Sequence, residues 1–275
     1  MSDRTVIEKL AQEYPLLYLN PDTDAQDVYR SVVLQGEEPI NKNLSHYMGN
    51  THDCMESVET PAGPVQVVTL GNRRDFELAL RGFMAAKEGP QTKIPKTQGA
   101  AMLTVFNWPR IREHLSHYPE EEQGAEFKRF TAVRENYTDM LIILSRGPYS
   151  NVDANAMGLS ENGWLDQSDI IRRYHELTHV ICRRLYPDDI EPVRDELIAD
   201  AVGMYAAYGY FDPVIEERFL GIKNGIYIGG RLENYTNELN RIAASVSSEL
   251  DWMKRVINEQ TWTEPFDLIP LLMKK

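Results

Sequence analysis

Cysteine is scarce: Cys54 and Cys182 are the only two in 275 residues, and no Cys-x-x-Cys spacing occurs. That excludes a disulfide framework and a thiolate zinc site. Long apolar runs are missing too. The strongest, Met140-Leu-Ile-Ile-Leu144, is far short of the ~20 residues that span a bilayer. The opening stretch, Met1 to Leu10, is polar and helical in character with no apolar signal core, so a soluble cytoplasmic protein without membrane contact is expected. Basic residues are outnumbered, 29 Lys and Arg against 42 Asp and Glu, for a formal net charge of −13. Binding nucleic acid requires a clustered cationic surface, and the one concentrated basic stretch, Lys93 to Lys96, reads as a solvated loop.

What is present is enough to fold. Hydrophobic residues make up 42% of the chain and aromatics 9%, which supports a full core and rules out global disorder. No repeat or long low-complexity linker divides the sequence, so residues 1–275 read as one catalytic domain with lobes of roughly 1–185 and 186–275 and a cleft between them. In the first lobe, short helices and loops broken by Pro15, Pro21 and Pro39 precede a β-branched strand at 64–70 and a helix over 75–86. The proline- and glycine-bearing stretch 89–99 is loop, and 102–106 is either a strand or the start of a helix. Helices follow at 110–117 and from 120, then a strand at 140–144 and a small, polar connection over 151–163. From Ser168 the spacing predicts helices at 168–185, 192–209, 213–222 and 234–259. The expected class is α+β, predominantly α, with a mixed N-terminal lobe and an all-helical C-terminal lobe.

The chemistry concentrates in Tyr174-His175-Glu176-Leu177-Thr178-His179. On a helix, His175 and His179 stand at i and i+4, about 40° apart around the axis and ~6 Å along it. Two imidazoles so placed can converge on one tetrahedral Zn²⁺. Glu176 flanks the same face, poorly set to ligate but able to take a proton from a metal-bound water. Ser168 or Asp166 is the expected N-cap; Ile170, Ile171, Tyr174, Thr178 and Ile181 form an apolar side; and Arg183 and Arg184 suit the last turn. A catalytic zinc needs a third protein ligand. The next predicted helix offers Glu196 and Asp200, four apart on one face, of which Glu196 can reach the metal while Asp200 orients a ligand histidine.

This pattern, His175-Glu-Leu-Thr-His179 followed by Glu196-Leu-Ile-Ala-Asp200, resembles the zincin metallopeptidases, specifically the gluzincin branch. The resemblance covers only residues 170–205. It implies a zincin-like fold, Zn²⁺ held by His175, His179 and Glu196, Glu176 as general base, Asp200 supporting His175, and a peptide or protein as substrate. It also implies a transition-state donor from the C-terminal lobe. Tyr205, Tyr208, Tyr227, Arg231 and Tyr235 are candidates, with Tyr227 and Arg231 preferred because the surrounding glycines allow close backbone approach. The rival reading is a zincin-like metal-binding or structural module without peptide cleavage.

Other features carry less. A di-iron bundle needs a second Glu-x-x-His, and none of His46, His52, His114, His117 or His175 has a glutamate three residues earlier. His114 and His117 read as an exposed polar face, and Glu120 to Glu122 as a solvated helix start. Cys182 reads as a buried, inert thiol. Asp195 is expected to point elsewhere, towards Arg194 or Arg172, and Asp188 and Asp189 to turn the chain.

Overall fold

The computed structural model describes residues 5–187 and 190–274, so the turn expected at Asp188 and Asp189 lies outside the described residues. The protein is α+β and divides into two compact units. One runs to Ser57 and resumes at Gln66–Ser145; the other takes Val58–Val65 and the chain from Arg146 onward. The division therefore falls near 145 and not near 185. Residues 168–185 and 192–209, expected on opposite sides of a boundary, instead pack against each other within the second unit. No helix among the described residues is long and apolar enough to cross a membrane.

The first unit opens with α1 (Thr5–Glu13) and a 3-10 turn at Pro15–Tyr18. Next, α2 (Gln26–Arg30) runs into a π-helical turn closed by Gly36 in the left-handed region. Strands β1 (Cys54–Val58) and β2 (Val65–Leu70) precede α3 (Arg73–Glu88). The remainder is β3 (Ala100–Phe106), α4 (Trp108–Leu115), α5 (Glu120–Phe130) and β4 (Thr138–Ser145). The sheet order is β1-β2-β4-β3. β4 runs parallel to β2, Ile142 opposite Val67, and antiparallel to β3, Ile142 opposite Met102. Its central position explains the continuous apolar run, since Leu141 to Leu144 are buried on both faces. Pairing with β4 also settles the ambiguous 102–106 segment as strand. Leu10, Tyr14, Phe76, Leu80, Val68 and Ile143 belong to the core that joins α1, α3 and this sheet.

The second unit holds α6 (Glu161–Leu185), α7 (Pro192–Tyr208) and α8 (Pro213–Leu220). A hairpin of β5 (Ile222–Lys223) and β6 (Ile226–Tyr227) leads to α9 (Leu239–Asn258) and α10 (Leu268–Leu272). The C-terminal part is thus not all-helical. Asn224 and Gly225, at φ 52° and 73°, form a tight two-residue connection of the kind that closes hairpins. α6 begins earlier than expected because Ser160 is its cap, its hydroxyl accepting from Gly163 N at 3.2 Å. Ser168 is instead buried inside the helix and accepts from Tyr149 N at 3.0 Å. α7 is buried on nearly every side from Leu197 to Tyr205, as befits a helix apolar all round. That makes Asp200, at 0% exposure, a costly residue unless something pairs with it.

Candidate metal centre

The centre is set by how closely α6 and α7 approach. A Cβ on Gly203 would lie 2.6 Å from the carbonyl oxygen of Ile171, so only glycine fits at this crossing. His175 and His179 follow Ile171 by one and two turns on α6, while Asp200 and Glu196 precede Gly203 by one and two turns on α7. The antiparallel pair therefore brings the imidazoles and carboxylates level with each other.

Their ligand atoms converge. The Nε2 atoms of His175 and His179 are 3.0 Å apart, and each is 3.5 Å from a Glu196 oxygen. Among the described residues this is the one group of three or more His, Cys, Asp or Glu whose atoms all lie within 4.8 Å. The opposite ring nitrogens are both occupied: His175 Nδ1 lies 2.7 Å from Asp200 Oδ1, and His179 Nδ1 lies 2.9 Å from Asp195 Oδ2. With Nδ1–H donated to a carboxylate in each case, both Nε2 lone pairs face one point. At 3.0 Å the two Nε2 atoms must share a positive charge, either a proton on one ring or a metal cation between them. A tetrahedral ion with ~2.0–2.1 Å bonds requires ligand atoms ~3.3 Å apart, and the observed 3.0, 3.5 and 3.5 Å bracket that value. The buried Glu196 Oε2, which has no hydrogen-bond partner among the described residues, is also accounted for by a cation. The donor set fits a zinc-like divalent ion.

Electrostatics separate the two rings. Burial, and then the neighbouring His179 ring, hold His175 down to about 3, so it is neutral. Burial acts on His179 as well, but its bond to Asp195 and the nearby Glu196 and Glu176 carboxylates raise it overall. Asp195 was expected to pair with Arg194 or Arg172; it turns inward because His179 offers it a buried partner, which lowers its pKa despite partial burial. Glu176 is half-buried beside His175, and its charge reaches both imidazoles.

Behind His175 lies a network built around Asp200. Tyr149, from the 3-10 turn at Tyr149–Asn151, donates its hydroxyl to Asp200 Oδ1 at 2.5 Å and sits 2.9 Å from His175 Nδ1. Arg231 pairs with Asp200 and donates to the Tyr149 hydroxyl at 2.8 Å. Arg231 is thus brought to the centre, but as the partner of Asp200. The glycines near it serve a chain crossing: a Cβ on Gly221 would lie 2.3 Å from Gly229 O, and Ile228 N donates to Gly221 O at 2.8 Å.

The other candidate donors divide. Tyr227 is not brought to the cluster. Its hydroxyl lies 2.7 Å from Glu233 Oε2 and 3.0 Å from Gly230 O, a local use that removes it as a transition-state donor. Tyr205 is spent on Trp262, whose N–H donates to its hydroxyl at 2.7 Å. Tyr208 packs near Tyr210. Tyr235 is the one beside Glu196: burial, and then that carboxylate, raise its pKa and keep it a neutral phenol. Sequence reasoning missed Tyr149 altogether, because nothing in Gly147-Pro-Tyr-Ser150 distinguishes it from an ordinary turn. It also missed Glu216 on α8, fully buried and electrostatically close to Glu196.

Comparison with curated proteins and with solved structures finds no match. Residues 8–259, which include every residue of the cluster and of the network behind it, match the model of a family of unknown function (DUF7005), and the chain belongs to that family.

Proposed function

We propose that this protein is a zinc-dependent metallohydrolase, most simply a gluzincin-type peptidase with a zincin-like fold. The observation that carries the reading is the convergence of two imidazole lone pairs and one carboxylate, each imidazole backed by its own acid. His175, His179 and Glu196 would hold the ion. When bound, zinc supplies Lewis acidity, polarising a carbonyl and drawing the pKa of a coordinated water toward ~7.

The chain's own residues do the rest. Glu176, adjacent to His175 and only half-buried, takes the proton of the attacking water and passes it to the leaving amine. Asp200 and Asp195 fix each imidazole with Nδ1 protonated and Nε2 free. Tyr149 and Arg231 keep Asp200 ionised and immobile, which makes them positioning residues. Tyr235, a phenol that burial and the neighbouring Glu196 charge keep neutral, is the remaining candidate to donate to a developing oxyanion.

The test is Glu176→Gln measured against a mixed peptide library with zinc counted by elemental analysis. The variant keeps one zinc per chain and loses turnover by about 10²–10⁴-fold. His179→Ala loses both. Turnover surviving in Glu176→Gln removes Glu176 as the base. A wild-type protein that binds no zinc removes the metallohydrolase reading itself.

A further inference from the structure

A cavity of about 570 Å³ lies wholly within the first unit. Its body is apolar, lined by Leu16, Val32, Phe83, Val105, Phe106 and Trp108, and the three rings among these remain half-buried. One wall is the π-helical turn at Ser31–Gln35, a rare conformation that recurs at functional sites. This turn brings three consecutive apolar residues, Val32, Val33 and Leu34, to the cavity. α4 latches the wall in place. Trp108 Nε1 donates to Val33 O at 2.8 Å, and Arg112 Nη1 donates to Gly36 O at 2.9 Å. Gly36 stands at φ 73°, and a Cβ there would run into the Trp108 ring. The cavity is thus held in shape by hydrogen bonds to the turn and to the glycine that closes it. Its volume is that of preformed sites for small organic ligands, about 300–1,000 Å³.

The charged part of the lining is lopsided. Arg30, Lys87 and Arg112 stand against a single acid, Glu37, in a chain whose net charge is −13. Arg112 is committed to Gly36 O and to Glu38. Arg30 donates its Nε to Ala86 O at 3.2 Å and pairs loosely, at 3.6 Å, with Asp27, whose side chain is 93% exposed. Lys87 has no ion-pair partner among the described residues. Arg30 and Lys87 are both exposed, so their charges sit at the solvent side of an apolar chamber. We propose that this cavity binds a small amphipathic carboxylate, its hydrocarbon body against the rings and its anionic head at Arg30 and Lys87. Burial of the body supplies the affinity, and the local cations select the sign of the head against the repulsion of an acidic protein. A cationic amphiphile would meet two cations at the opening.

The probe is decanoate, titrated by calorimetry into the full-length protein below the concentration at which it forms micelles. Decanol, with the same chain and no charge, and decyltrimethylammonium, with the opposite charge, are titrated beside it. Decanoate is expected to bind at one per chain and more tightly than either. Ala86→Phe grows a ring from α3 into the cavity and loses decanoate affinity by at least about tenfold. Lys87→Gln weakens decanoate by about two- to fivefold and leaves decanol unchanged. Leu34→Glu, at a wall position already 58% exposed, keeps the melting temperature of the wild type and weakens decanoate while sparing decyltrimethylammonium. It therefore reads the cavity even where Ala86→Phe fails to fold. No saturable binding of decanoate, equal affinity for decanoate and decanol, or wild-type decanoate affinity in Leu34→Glu overturns the proposal. None of these results depends on zinc, so they leave the reading of the metal centre untouched.

Discussion

Replacing Gly203 with alanine asks whether the crossing of α6 and α7 sets the metal centre. The added Cβ would stand 2.6 Å from the carbonyl oxygen of Ile171 and 3.2 Å from its Cγ2. Carbon–oxygen contacts of this kind relax to roughly 3.3 Å or more, so the helices must part by about 0.7 Å. Metal–ligand distances tolerate only about 0.2 Å. A displacement several times larger, at the point from which His175 and Glu196 are hung, disrupts the three-ligand geometry. Stability changes less: overpacking costs about 1–3 kcal/mol, partly offset by the ~1 kcal/mol that alanine gains over glycine in a helix. The expected result is a loss of 0 to about 2 kcal/mol in a denaturant melt together with a drop in zinc affinity of at least about tenfold in chelator competition. Gly82→Ala, in the middle of α3, is the control. Its Cβ meets Leu16 Cδ1 at an ordinary 3.5 Å, so it should stabilise by about 0.5–1 kcal/mol with zinc binding unchanged. Wild-type zinc affinity in Gly203→Ala refutes the claim that this crossing sets the site.

Asp200→Ala is expected to weaken zinc binding more than Asp195→Ala, both within about 10–100-fold, because Asp200 at 0% exposure also holds Arg231 and Tyr149 while Asp195 is 23% exposed; chelator competition ranks them. Tyr149→Phe keeps the ring packing on Phe219 but removes the hydroxyl that Arg231 and Asp200 share, so it should cost about 1–3 kcal/mol in a melt; an unchanged melt refutes the network. Burial pushes the Cys182 thiol up to about 12. At pH 8 only about 1 in 10⁴ of it is thiolate, so a thiol reagent labels exposed Cys54 alone in the native protein and both cysteines in denaturant. Because the native pKa lies above the unfolded one, the stability contribution of Cys182 is whole below about pH 8.5 and is lost as pH rises towards 12. Slowing of alkaline unfolding in Cys182→Ala relative to wild type checks the sign.

Local signals carried well and non-local ones did not. The convergence of His175, His179 and Glu196 was legible because i, i+4 spacing on one helix and Glu196-x-x-x-Asp200 on the next are each a few residues long, and helix geometry turns them into faces. The parallel pairing of β2 with β4 was not legible, because β4 lies some seventy positions further along the chain and its ladder decides whether 102–106 is strand or helix. The hairpin of β5 and β6 was missed although Asn224-Gly225 is a strong short-range hairpin signal; the glycines around it were read as a break between helices and as room for close backbone approach. Ser168 and Asp166 look like caps in sequence, but the cap is Ser160. Ser168 is withdrawn from capping by Tyr149, whose backbone N–H holds its hydroxyl in the interior, inside a helix that has already begun at Ser160.

Tyr149 and Arg231 together show why a motif of a few residues needs the rest of the unit. Asp200 can hold the His175 imidazole only if it stays ionised at 0% exposure, and a buried carboxylate does so only with donors on it. Tyr149 supplies one from a turn before α6, and Arg231 supplies another from beyond β6. Arg231 reaches Asp200 because Gly221 and Gly230 let two backbone segments touch, the Cβ of either being excluded by the other. The centre therefore depends on two glycine crossings: Gly203 against Ile171 sets how near the carboxylates come to the imidazoles, and Gly221 against Gly230 sets whether the Arg231 cation meets Asp200. The first is a matter of distance and the second of charge, and neither can substitute for the other.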